Sequence, residues 1–280
     1  MSMNSFHARQ GRRPASPETR DPSPKPLEER GGYVRADALL VQQGLAPSRT
    51  SAQRLIEAGR VSWSGGVIHK PSLALWPESV LQVVQDESDQ FVSRGALKLK
   101  GALCLSGVSA VGKVCLDVGQ STGGFTDCLL QAGAVRVVGV DVGHGQLHPK
   151  LASDERVTAF EGINCRELCA ADLGAALPEN GFDLIVADVS FISLTLILPC
   201  LPPLLAAKGK MLLLVKPQFE VGPGKLGKGG IVKDPRLYVD VERKLRDAAM
   251  TLRLRVVAWF DSSIKGTDGN REFFIWIEHD

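Results

Sequence analysis

The sequence has no C-x-x-C pair among its six cysteines, which stand at 104, 115, 128, 165, 169 and 200. The closest two, Cys165 and Cys169, have no histidine or cysteine cluster beside them, so a zinc site is not expected. No disulfide framework is implied either. The cysteines lie mostly within apolar runs, as reduced core cysteines do, which fits a reducing cytosol. The first 30 residues lack an apolar segment, so no secretory signal is expected. Long unbroken apolar runs are missing too. The greasiest stretch, 184–207, is interrupted by Asp188, Pro199, Pro202 and Pro203, which argues against a membrane span. An excess of one charge is also absent: 33 Lys+Arg against 31 Asp+Glu leave +2. Any contact with nucleic acid must therefore come from local patches. No internal repeat is visible.

What is present suits a folded chain of two domains: 280 residues, 44% hydrophobic and 23% charged. Residues 1–30 are rich in Pro, Arg and Ser and cannot bury enough surface to offset ordering entropy, so they are expected to be a disordered tail. Six Lys/Arg against four Asp/Glu there favour a solvated tail over a basic arm on RNA. Residues 31–88 read as a small α+β module. A helix is expected over 35–43, stopping at Gly44, and a second from an N-cap at Ser48 to Gly59. Short strands follow at 60–63, 67–69 and 80–84, with a Gly65-Gly66 turn and an acidic linker of Asp86, Glu87 and Asp89.

Residues 89–280 alternate strand and helix signals. Strands are expected at 114–118, 135–141, 157–160, 183–188, 210–215, 254–261 and 271–278. Helices are expected near 94–106, 123–132, 165–172, 192–206 and 235–252. The alternation predicts a doubly wound, mainly parallel α/β sheet, with the last two strands antiparallel because no helix separates them.

The sharpest local signal is Val114-Cys-Leu-Asp-Val-Gly-Gln-Ser-Thr-Gly-Gly-Phe125: a buried strand ending near Asp117, a tight Gly119–Gly124 turn, then a helix. The second strand ends at Asp141, the place for a carboxylate on ribose hydroxyls. A dinucleotide would want G-x-G-x-x-G, and Ser121 replaces the middle glycine. S-adenosylmethionine carries no phosphate, and its cationic groups suit Asp117, so it is preferred to NAD. Gly222–Gly229 nearly spells a P-loop, but Gly229 stands where Ser or Thr must reach magnesium. It reads better as a basic, glycine-rich loop over a site.

Ionisable residues at strand ends mark the chemistry, because a charge terminating an apolar strand is unfavourable unless paired or useful. Asp188 ends 184–188, Lys216 ends 211–216, Glu272 opens the last strand, and Lys98 lies on the helix entering the domain, with Lys100 an equal candidate on spacing alone. Each singly fits an ordinary salt bridge. Jointly they put two lysines and two carboxylates around one crevice.

These residues resemble a known family. Ser93-Arg-Gly before Lys98, Ala187-Asp188-Val-Ser-Phe, Val215-Lys216-Pro-Gln-Phe-Glu220 and Gly269-Asn270-Arg-Glu272-Phe are similar to the K-D-K-E words of the FtsJ-like ribose 2′-O-methyltransferases, and they select Lys98 over Lys100. Arg35-Ala-Asp-Ala-Leu-Leu and Ser48-Arg49…Gly59-Arg60-Val61 resemble the S-four-like RNA-binding module. That pair of domains is the layout of the TlyA family. The resemblance implies a Rossmann-like class I methyltransferase with a seven-stranded sheet, and methylation of cytidine 2′-hydroxyls in rRNA of the small and large subunits or of one of them, in the cytoplasm.

The resemblance implies Lys98, Asp188, Lys216 and Glu272 as catalytic residues, and no metal. It places the cofactor on Asp117, Gly119, Ser121, Thr122, Gly123, Gly124, Phe125, Asp141, Asn164 and Asp188. Gln120 departs from the small residue usual in the family loop, and Asp89-Gln-Phe-Val lacks the basic-aromatic linker of some members. In the expected mechanism Lys216 serves the 2′-hydroxyl as a neutral amine, made so by desolvation and the neighbouring Lys98 cation, while the carboxylates orient both. Contact with RNA is expected from Arg35, Arg49, Arg54, Arg60 and Lys70, which outweigh Asp37 and Glu57 by +3 over 31–70, and from Lys225 and Lys228. The rival readings are a pore-forming hemolysin and a catalytically silent RNA-binding protein.

Overall fold

The computed structural model describes residues 32–222 and 224–280; the expected tail, 1–30, lies outside the described residues. The chain divides after Gln85 into two compact units.

In the smaller unit β1 (Val34–Arg35) leads into α1 (Ala36–Gln42), then α2 (Arg49–Glu57), β2 (Val61–Trp63), β3 (Gly66–Val67), β4 (Ala74–Leu75) and β5 (Gln82–Val83). Ser48 caps α2 by accepting the Ser51 amide, as its position implied. β1 pairs antiparallel with β4, and β2 is flanked by β3 and β5. Leu39, Leu40, Ile56, Val61, Ile68 and Leu75 form the core. β1 and β4 gave no sequence signal, since two residues are too few to show alternation. The strand expected over 80–84 shrinks to β5.

The larger unit runs α3 (Gly95–Ser106), β6 (Val114–Val118), α4 (Gly124–Gln131), β7 (Arg136–Asp141), α5 (Pro149–Ala152), β8 (Val157–Glu161), α6 (Ala170–Leu173), β9 (Phe182–Ala187), β10 (Leu205–Val215), α7 (Arg236–Thr251), β11 (Leu254–Asp261) and β12 (Phe273–His279). These strands form one seven-stranded sheet in the order β11-β12-β10-β9-β6-β7-β8. β12 pairs antiparallel with β10 and β11, and the pairings among β6 to β10 are parallel.

Both faces of the sheet are covered, so its central strands are apolar throughout. Leu116, Ile185 and Leu213 belong to one core cluster, and their neighbours Cys115, Leu184 and Leu212 to the other. Burial pushes the Cys115 and Cys128 thiols up to about 12, in keeping with inert core cysteines, whereas Cys104 and Cys169 are exposed.

Two expected helices fail. Over 192–206 the chain makes three short 3-10 turns, Leu194–Leu196, Leu198–Cys200 and Pro202–Leu204, and enters β10 at Leu205. Pro199, Pro202 and Pro203 lack the amide hydrogen that a continuous α-helix needs and clash with the preceding turn. The helix expected over 165–172 is reduced to α6, four residues long.

Candidate active site

Parallel strands present their C-terminal ends to one edge of the sheet, and β6, β7, β9 and β10 deliver their terminal residues there. β6 turns at Gly119, whose φ is +83°. A Cβ at Gly119 would sit 2.8 Å from the Asp188 carbonyl, so glycine permits both the turn and the contact with the loop after β9. β7 ends in Asp141. Its Oδ2 accepts the Ser121 amide at 2.7 Å and its Oδ1 the Gly143 amide at 2.7 Å, which fixes the loop to the second strand.

Three cavities open along this edge. One of about 240 Å³ is lined by Lys98, Gly119, Ser121, Thr122, Gly124, Phe125, Asp188 and Lys216 among others. A second, about 470 Å³, adds Asp141, Asn164 and Cys165 to Gly119, Ser121 and Asp188. The third, about 460 Å³, lies between Lys98, Lys216, Phe191, Phe219, Glu272 and the backbone of Gly229 and Gly230. Their shared lining residues make them one crevice.

The four expected catalytic residues meet here as two ion pairs. Lys216 Nζ lies 2.6 Å from Asp188 Oδ1 and donates to Ser190 Oγ at 2.7 Å. Lys98 Nζ lies 2.7 Å from Glu272 Oε2. Both lysine side chains are 11% exposed and both line the first and third cavities. Lys100 turns away, to Glu87 and the face of Phe91.

Asp117 is placed differently from the expectation. It is fully buried beneath the loop and lines none of these cavities. Its Oδ2 accepts from Thr126 Oγ1 at 2.7 Å, and Thr126 Oγ1 accepts from Gln120 Nε2 at 2.9 Å. Burial, opposed by the Thr126 hydrogen bond, raises the Asp117 carboxyl to about 7. The group thus supports the loop from below. A carboxyl whose folded value lies above its unfolded one stabilises fully at acid pH and loses that contribution as pH rises toward and through 7. Asp117→Asn is accordingly expected to raise Tm relative to the unaltered chain more at pH 8 than at pH 4. An equal difference at both values would contradict a neutral, buried carboxyl.

Gln120, the departure from the family loop, folds inward over Gly139, where a Cβ would meet its Cδ at 2.0 Å. Gly123 also points away from the crevice, toward Leu147 and Leu151. Ser190 and Phe191 stand in the matched word around Asp188 but were not among the expected site residues. Phe191 is 90% exposed, has φ +63°, and stands 5.1 Å from Phe219 between ring centroids. A left-handed aromatic residue is strained, and such strain gathers at functional sites. Only its place after Asp188 could have drawn attention to it.

The basic residues expected on RNA divide. Arg54, Lys70, Lys225 and Lys228 are exposed. Arg60 donates to the Val84 carbonyl through Nε and Nη2, so it braces β5. Arg35 and Arg49 share the buried Asp37. Of the glycine-rich loop, Leu226, Gly229 and Gly230 rather than the lysines line the third cavity. Asn270 ties that loop down, accepting the Val232 amide and donating to the Gly230 carbonyl. After Lys228 comes a single 3-10 turn, not the helix a P-loop requires.

The sequence pattern of the FtsJ-like methyltransferases matches residues 91–279, and that of the S4 domain matches 34–78. A Mycobacterium tuberculosis protein named 16S/23S rRNA (cytidine-2′-O)-methyltransferase TlyA is 43% identical over 87% of this chain and 89% of its own. Hemolysin A of Brachyspira hyodysenteriae is 37% identical over 86% of this chain and 98% of its own. A solved structure, "Putative hemolysin from Streptococcus thermophilus", is 37% identical, covers 89% of each chain and superposes with a TM-score of 0.68. With its seven-stranded sheet, its paired lysines and carboxylates and these likenesses, the chain belongs to the TlyA branch of the FtsJ-like methyltransferases.

Proposed function

We propose that the protein transfers a methyl group from S-adenosylmethionine to the 2′-hydroxyl of cytidine in rRNA of the small and large ribosomal subunits or of one of them, in the cytoplasm. The observation that carries this reading is the pair of lysines, each on its own carboxylate, facing one cavity beside the Gly119–Gly124 loop.

The crevice suits the cofactor. Asp141 keeps acceptor capacity for a ribose diol beside Asn164 and Cys165, and Asp188 supplies negative charge where a sulfonium would lie. The glycine at 119 keeps the crevice floor low. Bound S-adenosylmethionine supplies an electrophilic methyl group, and the chain's own residues have to bring a hydroxyl into line with it. The third cavity is the place for the ribose, since Lys98, Lys216 and Glu272 meet there. Lys216 Nζ serves the hydroxyl as a neutral amine, after releasing its ion-pair proton to solvent: it would take the hydroxyl proton as the methyl group leaves sulfur for oxygen and the thioether departs. Asp188, 2.6 Å away, holds the ammonium so formed, and Ser190 fixes the direction of approach. Fixing hydroxyl, methyl and sulfur in line accounts for much of the rate.

Phe191 stands at the boundary of the second and third cavities, and an exposed ring there suits stacking on an unpaired base. Phe191→Ala should lower kcat/KM for the RNA substrate by about 10- to 100-fold, the range for one base stack, with a smaller effect on cofactor affinity because the ring also borders the second cavity. An unaltered kcat/KM would remove Phe191 from substrate binding.

The deciding experiment is methyl transfer from labelled S-adenosylmethionine to ribosomal subunits purified from cells lacking this protein. Label on rRNA supports the reading; no label on either subunit sinks it. Hemolysin names recur among the similar proteins. Among the described residues no helix is long and apolar enough to cross a membrane. Lysis of liposomes by the pure chain without cofactor is the result that would favour a pore.

A further inference from the structure

Tyrosine and tryptophan are scarce in this chain, with two and four respectively in 280 residues. One of each forms a pair outside any core. Tyr33 and Trp76 lie 4.3 Å apart between ring centroids, tilted by 38°. They are 38% and 54% exposed, and neither belongs to the smaller unit's core or packs against it. Trp63, Trp259 and Trp276, by contrast, are half-buried.

The backbone explains the pairing. β1 and β4 are joined at Val34↔Leu75 and Arg35↔Ala74. Leu75 belongs to the core and Val34 packs against it, so by alternation Tyr33, Arg35, Ala74 and Trp76 share the outward face. Trp76 also begins a turn closed by the Ser79 amide on its carbonyl, with Pro77 following, which holds the ring's base in place.

Beside the rings sits a fixed cation. Arg35 grips Asp37 through Nε at 2.9 Å and Nη2 at 2.8 Å, and Arg49 reaches the same carboxylate at 3.3 Å. The Arg35 hydrogen bond, against the opposing effect of burial and with help from Gln53 and Arg49, holds the Asp37 carboxyl far below the ordinary range. Two guanidiniums on one carboxylate leave a net +1, and each carries five donors, more than Asp37 accepts. Arg35 lies two residues from Tyr33, about 7 Å along a strand.

We propose that Tyr33 and Trp76, with Arg35 and Arg49, form a second nucleotide site on the smaller unit, which stacks an unpaired RNA base on the rings and takes a neighbouring phosphate on the guanidiniums. The site rests on the RNA-methylating reading above and adds to it where the RNA is held apart from the reacting ribose. Duplex RNA offers no splayed base, so the site prefers single strands or loops. The cation and the rings together favour RNA over an apolar protein segment, because a flat hydrophobic partner has no use for two guanidiniums fixed at its edge.

The test uses the full chain and an unstructured single-stranded oligoribonucleotide, with a duplex of equal length as control. The single strand is expected to quench tryptophan fluorescence, and Trp76→Phe to lose most of that quench while keeping affinity within about threefold, since phenylalanine still stacks. The double substitution Tyr33→Ala and Trp76→Ala should weaken single-strand binding by roughly tenfold or more. It should leave the slope of affinity against salt nearly unchanged, because no phosphate contact is removed. Circular dichroism checks that each variant is folded.

An unchanged quench in Trp76→Phe, or unchanged affinity in the double variant when the unaltered chain binds, overturns this site and leaves the methyltransferase reading intact. Weaker binding to ribosomal subunits with unchanged oligonucleotide affinity also overturns it, and assigns the rings to a ribosomal protein. If the unaltered chain binds neither oligonucleotide nor rRNA, the site falls together with the RNA reading, and the labelled-methyl assay registers that failure separately.

Discussion

Lys216→Ala is expected to reduce methyl transfer by at least about 10³-fold, within the range for losing a positioned proton-transfer group. S-adenosylmethionine affinity should change by no more than about tenfold, or 1.4 kcal/mol. The separation follows from where the amine sits. Lys216 lines the first and third cavities and is absent from the second, where Asp141 and Asn164 lie. Removing it strips the hydroxyl of its proton partner without touching Asp141. Asp188, left without its lysine, is 21% exposed, so water can solvate it and the fold survives. Lys216→Arg is a sharper control: it keeps the charge, but a planar guanidinium that stays protonated cannot take up a proton. Calorimetric titration with cofactor and a labelled-methyl assay on ribosomal subunits, run side by side, decide the matter. Full turnover in either variant would remove Lys216 from the reaction.

Loss of Glu272 is expected to damage stability and turnover together, and the two effects can be separated. Glu272 is 2% exposed at its side chain and Lys98 11%, so this pair is the more buried of the two. Glu272→Ala strands an ammonium in a poorly solvated place, which costs about 3 kcal/mol or more in unfolding free energy. Replacing both members, Lys98→Met with Glu272→Ala, removes the stranded charge. Most of the lost stability should return, because the attraction of a buried pair roughly offsets its desolvation. Methyl transfer should not return, since the double variant lacks the cation beside Lys216. Urea unfolding of the wild type, both single variants and the double variant completes the cycle. A double variant as unstable as Glu272→Ala would show that Glu272 holds the fold through something other than Lys98. A double variant with wild-type turnover would show that the pair is structural only.

Lys98 and Lys100 show how far the sequence could be read. Both lie on α3, and spacing alone does not separate them; the flanking word Ser93-Arg-Gly did. The structure gives the physical ground: Lys98 faces Glu272 across the crevice, while Lys100 faces Glu87 and Phe91. Asp117 shows the opposite case. Its position at a strand end looked like that of a cofactor ligand, yet its side chain lies under the loop on Thr126. Strand position tells that a residue is near the edge of the sheet. It does not tell whether the following loop folds over it.

The sequence by itself determined the seven strands of the larger sheet with α3, α4 and α7, the Ser48 cap, the turn at Gly119 and the words carrying Lys98, Asp188, Lys216 and Glu272. These are local properties. Hydrophobic period, glycine freedom and capping chemistry act over a few residues, so they can be read along the chain. Only the tertiary structure decided which lysine meets which carboxylate, that Asp117 lies buried under the loop on Thr126, that Arg60 braces β5, and that Phe191 stands strained between two cavities. It also decided that three prolines break the 192–206 segment into separate turns that still bury Leu194, Ile197, Leu198, Leu201 and Leu204. Those outcomes depend on strand order and on packing between residues far apart in the chain, and no short stretch of sequence encodes either.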